Sequence, residues 1–208
     1  MTAARRGWLV TLEGVEGAGK TSVAGPIAQA LEEAGWRVTR LREPGSEPVA
    51  EAIRAVLLHS PGPVAARAEL MLFLAARAQM TERCIRPAVE RGEVALCDRY
   101  GDSTIVYQGH ARGLDLDEVR RLNAFATGGL KPDLTLLLDL SAEEGLRRQA
   151  DCNRMEAEPL AFHERVREGY RLEARLEPDR WRVIDASRPL EAVARDAVAA
   201  VLARCRPA

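Results

Sequence analysis

The sequence predicts an α/β protein built on a doubly wound, parallel, five-stranded sheet with helices on both faces. Short apolar runs alternate along the chain with longer amphipathic stretches. The apolar runs lack the regular polar and apolar alternation of a half-exposed strand, so they are predicted to be buried on both faces. Strands and helices that alternate in this way form right-handed crossovers, which place the strands in a parallel sheet.

The predicted elements follow one another in a regular order. The strands are Trp8 to Leu12, Trp36 to Leu41, Val94 to Cys97, Leu134 to Leu140 and Trp181 to Ile184. The helices are Thr21 to Ala34, Glu47 to Leu58, Val64 to Arg91, Leu116 to Ala126, Ala142 to Gln149, Leu160 to Leu176 and Leu190 to Arg204. Ligands of such folds bind at the carboxyl ends of the strands, so the segments that follow the strands are the candidate ligand sites.

Local signals support two of the helix starts and disturb one helix. Asp115 and Glu118, like Ser141 and Glu144, have the spacing of a capping box. Pro26 lies inside the first predicted helix, where it removes a backbone hydrogen bond and is expected to kink the chain.

The chain is predicted to form a single domain over residues 1–208. A length of 208 residues is enough to bury one continuous core, and no linker or repeat divides it. Residues 101–113 and 150–159 are the irregular stretches. We interpret them as candidate substrate loops, with ordinary polar surface loops as the alternative.

Charge and cysteine content limit the partners and the compartment. Lys and Arg total 30 against 31 for Asp and Glu, so no overall field attracts nucleic acid or an anionic membrane. No apolar run approaches the ~18 residues of a membrane-spanning helix. The cysteines are far apart, without a Cys-x-x-Cys pair, and are predicted to be reduced: Cys84, Cys97, Cys152 and Cys205. A cytoplasmic location is therefore expected.

A phosphate-binding loop follows the first predicted strand. The segment GVEGAGKTS has the pattern G-x-x-x-x-G-K-[ST] between a strand and a helix. Its glycines allow successive backbone N–H groups to point at a phosphate chain. Lys20 is expected to reach the β- and γ-phosphates of ATP, and Thr21 to ligate Mg²⁺. The predicted ATP-binding residues of the loop are Gly14, Val15, Glu16, Gly17, Ala18, Gly19, Lys20, Thr21 and Ser22.

The loop alone leaves three classes of protein open: a GTP switch, a motor or regulatory ATPase, and a small-molecule phosphotransferase. The Asn-Lys-x-Asp motif of GTP switches is absent. A phosphotransferase needs a second anion site, and Asp98-Arg99-Tyr100 follows the third strand, where that site is expected. Arg99 could hold an acceptor phosphate and Asp98 could order Mg²⁺, although a surface ion pair is the alternative for Arg99.

Further motifs follow the loop in order along most of the chain. They are REPGS at 42–46, FLAAR at 73–77, DRY at 98–100, STIVYQG at 103–109, RG at 112–113 and VIDA at 183–186. In order and spacing they resemble bacterial thymidylate kinase, a P-loop nucleoside monophosphate kinase. The resemblance implies a P-loop NTPase fold, transfer of phosphate from MgATP to dTMP, and a homodimer. A kinase for dUMP or UMP, or a regulatory ATPase, is the alternative.

The resemblance also implies roles at the acceptor site. Phe73 is expected to stack on the thymine ring and Arg77, one helical turn later, to bond the base edge. The other implied substrate-binding residues are Glu43, Arg99, Ser103, Thr104, Tyr107 and Gln108. Tyr107 is expected to crowd the position of a ribose hydroxyl and so to favour deoxyribose. Without the resemblance, core packing is the better explanation for Phe73.

The implied catalytic residues are Lys20, Arg99, Glu16 and Arg154. Glu16 matches an acidic position that approaches the acceptor sugar or a bound metal, with a solvated loop charge as the alternative. Residues 147–158 resemble a lid over ATP, and Arg147, Arg148 and Arg154 are candidates to cover the phosphates.

Some residues depart from the family pattern. Asn153 stands where an aspartate is common, Ser46 where glycine is common, and Val106 where alanine is common beside Tyr107. Ser46 is unfavourable if its turn requires a positive φ. These departures bear on acceptor range and rate more than on reaction class.

Overall fold

The computed structural model describes residues 6–148 and 154–206. Its core is a five-stranded sheet with the order β2-β3-β1-β4-β5, and every neighbouring pair of strands is parallel. The strands are β1 (Trp8–Glu13), β2 (Val38–Arg42), β3 (Val94–Asp98), β4 (Leu134–Asp139) and β5 (Trp181–Asp185). The predicted sheet is therefore confirmed, with boundaries that shift by one or two residues.

Helices cover the sheet as predicted. They are α1 (Lys20–Glu33), α2 (Pro48–His59), α3 (Ala66–Met80), α4 (Arg86–Glu90), α5 (Gly101–Thr104), α6 (Leu116–Ala126), α7 (Ala142–Arg147), α8 (Leu160–Leu176) and α9 (Leu190–Arg204). A π-helical stretch, Thr81–Ile85, joins α3 to α4. The single helix predicted for residues 64–91 is thus three consecutive helical segments. In the part of the chain that the structure describes, no helix is long and apolar enough to cross a bilayer.

The prediction of a loop at residues 101–113 is wrong for most of its length. Residues 101–104 form α5 and a π-helical stretch continues from Ile105 to Ala111. Glycines and β-branched residues have low helix propensity, so the sequence did not predict a helix here. The segment is almost entirely buried and packs against α3, α6 and α8, so tertiary contacts override the weak local preference.

Pro26 lies inside α1, which nevertheless continues to Glu33. Both Pro26 and Ser22, one turn earlier, are exposed. Pro26 has no N–H to donate to the carbonyl oxygen of Ser22. Because this oxygen lies on the exposed side of the helix, water can replace the missing hydrogen bond, and this limits the loss of stability that the proline causes.

The centre of the sheet positions the site. In the parallel register of β1 and β3, Leu12 lies opposite Asp98. The loop after β1 and the segment after β3 consequently leave the same edge of the sheet side by side. The strand order reverses near this point, which is where ligands of doubly wound folds bind.

Candidate active site

The loop between β1 and α1 is tightly packed against α7. Gly17 has a φ of 70°, and a Cβ atom there would lie 2.2 Å from the carbonyl oxygen of Gly145. No other residue fits this position without a shift of the backbone. The loop ends where α1 begins at Lys20, so its N–H groups and the helix N-terminus face the same space.

Lys20 lies inside this loop. Its Nζ donates hydrogen bonds to the carbonyl oxygens of Gly14, at 3.1 Å, and Val15, at 2.9 Å. Burial and then the charge of Arg99 lower the pKa of Lys20 from 10.5 to about 8. No carboxylate of the described residues forms an ion pair with Lys20. A buried ammonium in such a setting is suited to bind an anion such as a phosphate.

The lowered pKa predicts that Lys20→Met stabilises the ligand-free protein. Below pH 8 Lys20 is charged and buried in the folded protein, whereas in the unfolded chain its charge is solvated. This difference in pKa lowers the stability of the folded state by about 3 kcal/mol. Loss of the two hydrogen bonds offsets part of this, at ~1 kcal/mol each. We expect a small net gain in stability at pH 7.

The sign of the pH dependence follows from proton binding. Between pH 8 and 10.5, the unfolded chain binds a proton at Lys20 that the folded chain has lost, so wild-type stability rises with pH. The advantage of Lys20→Met in denaturant unfolding should therefore shrink over this range. An advantage that stays constant or grows would contradict the assignment.

Two oxygen ligands lie together beside the loop. The Thr21 hydroxyl donates to Oδ2 of Asp98 at 3.2 Å. Hard oxygen ligands suit Mg²⁺, which is commonly bound by one or two protein groups together with substrate phosphates. The described residues contain no cluster of three or more His, Cys, Asp or Glu side chains arranged for a metal.

Arg99 is held in an unusual conformation at the end of β3. Its φ is 69°, which is strained for a non-glycine residue, and its N–H donates to the Leu12 carbonyl at 3.0 Å. Its guanidinium donates to Glu16 at 2.9 Å, Tyr170 at 3.0 Å and Ser103 at 3.2 Å. The surrounding contacts thus fix the position of this cation.

Glu16 is a buried carboxylate and not a solvated loop charge. It is 9% exposed, and the Tyr107 hydroxyl donates to both of its oxygens, at 2.7 and 2.8 Å. His163 Nδ1 lies 3.5 Å from Oε2. Burial raises the pKa of Glu16, but Arg99 and these neighbours lower it by more, and the net pKa is well below its usual range. Glu16 is therefore an anion that pairs with Arg99.

A second buried acid, which the sequence reasoning missed, lies beneath Arg99. Glu13 is fully buried and accepts hydrogen bonds from the backbone N–H of Tyr100, at 2.8 Å, and from the hydroxyls of Ser103, at 2.6 Å, and Tyr170, at 2.7 Å. Burial, followed by the charge of Asp102, raises its pKa. Glu13 orders the two hydroxyls that contact Arg99.

The acceptor side is built on α3. Arg77 is 2% exposed and donates to Glu43 at 2.8 Å, Thr104 at 2.5 Å and Asn123 at 3.1 Å. Phe73 lies one turn earlier and is only half-buried. Burial raises the pKa of Glu43 to about 7, even though Arg77 acts in the opposite direction. Arg77 is thus fixed by protein partners before any base arrives.

A single cavity of about 640 Å³ joins these groups. The predicted site residues that line it are Glu16, Gly17, Gly19, Lys20, Thr21, Ser22, Glu43, Phe73, Arg77, Asp98, Arg99, Ser103, Thr104, Tyr107 and Gln108. Lining residues that we did not predict as site residues include Arg42, Pro44, Arg54, Leu58, Met155, Glu156 and Leu190. Val15 and Ala18 are instead buried in the core, so only their backbone can serve a phosphate chain.

Comparison with known proteins identifies the family. A family model described as thymidylate kinase matches residues 12–197. The chain belongs to the thymidylate kinase family. Thymidylate kinases of Desulfovibrio desulfuricans and Thermomicrobium roseum are 49% and 50% identical to it, over 94% and 92% of this chain and 96% and 92% of their own lengths. That of Geobacter sulfurreducens is 48% identical, over 94% of this chain and 96% of its own.

A solved structure agrees with this assignment. The crystal structure of thymidylate kinase from Ehrlichia chaffeensis matches with a TM-score of 0.77 and 28% identity, over 94% of this chain and 99% of that one. The predicted fold and the predicted enzyme class, an ATP-dependent nucleoside monophosphate kinase, are confirmed.

One departure from the thymidylate kinase pattern is explained by its contacts. Ser46 has a φ of 63°, so the turn does require a positive φ. The Ser46 hydroxyl accepts from the Arg42 N–H at 2.8 Å, and the Ser46 N–H donates to Glu51 at 2.8 Å. These bonds hold the strained residue in place.

The three arginines that the sequence suggested for a lid lie in three different environments. Arg147 is exposed and pairs with Glu144, and Arg148 lines the cavity. Arg154 does not line the cavity and bonds to Glu69 at 2.7 Å. Their contacts with phosphates remain predictions, and Asn153 lies outside the described residues.

Proposed function

We propose that this chain transfers the γ-phosphoryl group of MgATP to dTMP, forming ADP and dTDP. One observation carries the proposal: a single cavity is lined both by the phosphate loop with Lys20 and by Arg99, Phe73 and Arg77. A donor and an acceptor nucleotide could therefore meet in one space beside the two cations.

The chemistry requires alignment more than proton transfer. The acceptor phosphate is already an anion at neutral pH, so no strong general base is needed. Lys20 and Arg99 would offset the repulsion between the two nucleotides and orient them in line. Glu16 would hold Arg99 in its strained position. Thr21 and Asp98 would hold Mg²⁺, which supplies charge neutralisation to the phosphates when it is bound.

Pocket chemistry supports a pyrimidine deoxynucleotide as acceptor. Phe73 offers an aromatic face to the base, and Arg77 presents a guanidinium that can bond to a carbonyl of the base. Tyr107 is immobilised by Glu16, so its ring would exclude a ribose 2′-hydroxyl. Gln108, with its Nε2 bonded to Glu69 at 2.9 Å, is held where its amide can meet the base. Ser103 and Thr104 complete this side of the pocket.

An acceptor panel tests the proposal. ADP formation from MgATP should be fastest with dTMP, slower with dUMP, and slowest with UMP, CMP and AMP. Equal rates with every acceptor would contradict the pocket assignment. ADP formation that needs no acceptor would point to an ATPase instead.

We also infer that residues 1–208 act as one kinase domain with a lid at about 147–158, located in the cytoplasm. Among the described residues, Cys84 and Cys97 are free thiols, and this is consistent with a reducing compartment.

A homodimer is proposed from an exposed apolar face on α3 and α6. Phe125 is 87% exposed and Met71 is 51% exposed, on the two helices that enclose a cluster containing Leu70 and Leu74. A contiguous exposed apolar patch marks an association surface, and we propose that Phe125 and Met71 belong to one.

The dimer proposal predicts the effect of Phe125→Glu. A buried charge at an interface anchor weakens association by about 2 kcal/mol or more, which is roughly 30-fold in the dissociation constant. Analytical ultracentrifugation should show two chains for the wild type and dissociation for the variant. Leu176→Glu, at an exposed apolar position on α8, is the matched control and should remain associated. A wild type that sediments as one chain would refute the dimer.

A further inference from the structure

A buried ion cluster lies outside the phosphate loop, at the first turn of α3. Glu69 is fully buried, with 0% exposure. It accepts hydrogen bonds from Gln108 at 2.9 Å, Arg112 at 3.1 Å and Arg154 at 2.7 Å. Arg154 Nε also donates to the Leu57 carbonyl at 2.8 Å. Arg154 is thus clamped between the end of α2 and the start of α3.

Stability alone is a weak explanation for this cluster. A buried ion pair is commonly no more stabilising than well-packed apolar side chains of the same volume, although losing one partner is costly. Burial raises the pKa of Glu69, but the bonds from Arg112, Gln108 and Arg154 lower it by more, so the carboxylate is ionised. The cluster therefore holds its partners with directed, charge-assisted bonds.

The position of Glu69 links two parts of the enzyme. Glu69, Phe73 and Arg77 are spaced by four residues along α3 and share one face of the helix. Arg154 directly precedes Met155, which lines the cavity. One helix consequently carries the base-contacting residues at one end and the contact with the lid segment at the other.

We propose that Glu69 is a positioning residue that anchors residues 154–158, through Arg154, to the acceptor-binding helix α3, and so couples acceptor binding to the position of this segment beside the cavity. The proposal rests on the kinase function proposed above. Arg154 then holds residues 154–158 in place, and it does not cover the transferred phosphoryl group.

Substitutions in the cluster test the coupling. Glu69→Gln keeps the shape of the side chain but removes its charge. Because one charge-assisted bond is lost, we expect the KM for dTMP to rise about tenfold. The acceptor-free share of ADP formation, which is the fraction of ADP formed without phosphate transfer to dTMP, should rise by a similar factor. Arg154→Ala should behave in the same way, and the double variant should be no worse than either single variant. Arg154→Lys should restore part of the effect.

A second buried glutamate, outside this cluster, provides a matched control. Glu173 is 3% exposed and pairs with Arg120 at 2.7 Å. Glu173→Gln should therefore leave the KM for dTMP and the acceptor-free share close to wild type. An effect of Glu173→Gln as large as that of Glu69→Gln would overturn the specific role of Glu69.

Hydrogen exchange gives a readout that does not depend on catalysis. In the ligand-free protein, Glu69→Gln should speed amide exchange at residues 154–158 while α8 keeps its wild-type rates. Unchanged exchange at 154–158, or faster exchange in both segments, would overturn the anchor. A wild type without dTMP-dependent turnover would instead refute the kinase function, so the two failures can be told apart.

The role of Arg154 has its own decisive outcome. If Arg154→Ala lowers kcat by about 10³-fold and leaves the KM for dTMP unchanged, Arg154 covers the phosphates and the anchor proposal is wrong. Effects of Glu69→Gln and Arg154→Ala that multiply in the double variant would also contradict it.

Discussion

Replacing Arg99 with alanine is expected to lower kcat/KM for dTMP by about 10²- to 10⁴-fold. A guanidinium forms two charge-assisted bonds to a phosphate, each worth ~1.5–3 kcal/mol, and each ~1.4 kcal/mol is tenfold in rate. Initial rates of ADP formation at varied dTMP concentration measure the loss. Arg99→Lys should recover only part of it, because an ammonium lacks the planar fork.

The same substitution also removes the cation that pairs with Glu16. Breaking a buried ion pair from one side costs ~3–5 kcal/mol, so Arg99→Ala should lower stability as well as activity. Adding Glu16→Gln to Arg99→Ala removes the orphaned charge and should restore much of the stability without restoring turnover. Recovery of activity in the double variant would mean that Arg99 acts only as a structural partner.

Replacing Lys20 with methionine is expected to lower kcat by about 10²- to 10³-fold, the usual loss when one preorganised donor to developing charge is removed. The variant should remain folded, because its ligand-free form is expected to be more stable than wild type. Turnover at saturating MgATP and dTMP measures the effect.

Lysine occurs at one other position, and this provides the control. Lys131 is exposed, with 73% of its side chain accessible, and pairs with Glu177 at 3.1 Å. Lys131→Met should retain wild-type kcat. Equal losses in the two variants would mean that general charge, and not the position of Lys20, matters.

The parts of the fold and site that are local in sequence could be predicted. The five strands were visible as apolar runs, and the phosphate loop as glycines with Lys20 and Thr21 at fixed spacing. At Ser46 the sequence raised a positive φ only as a condition, and it did not predict the hydrogen bond to Glu51. Local patterns specify such features because the residues concerned are neighbours in the chain.

Features that depend on distant residues could not be predicted. Glu13 contacts Tyr170 from another element, 157 positions along the chain. The only available signal was a carboxylate at the end of an apolar strand. The helix at residues 101–111 depends on packing against three other helices. The contact of Glu69 with Arg154 joins α3 to residues 154–158 over 85 positions of sequence.

The most direct test of the account is to separate and quantify the nucleotide products from MgATP and dTMP. The account predicts dTDP and ADP in equal amounts, with little inorganic phosphate and little ADP when dTMP is omitted. ADP accompanied by inorganic phosphate, without dTDP, would contradict it.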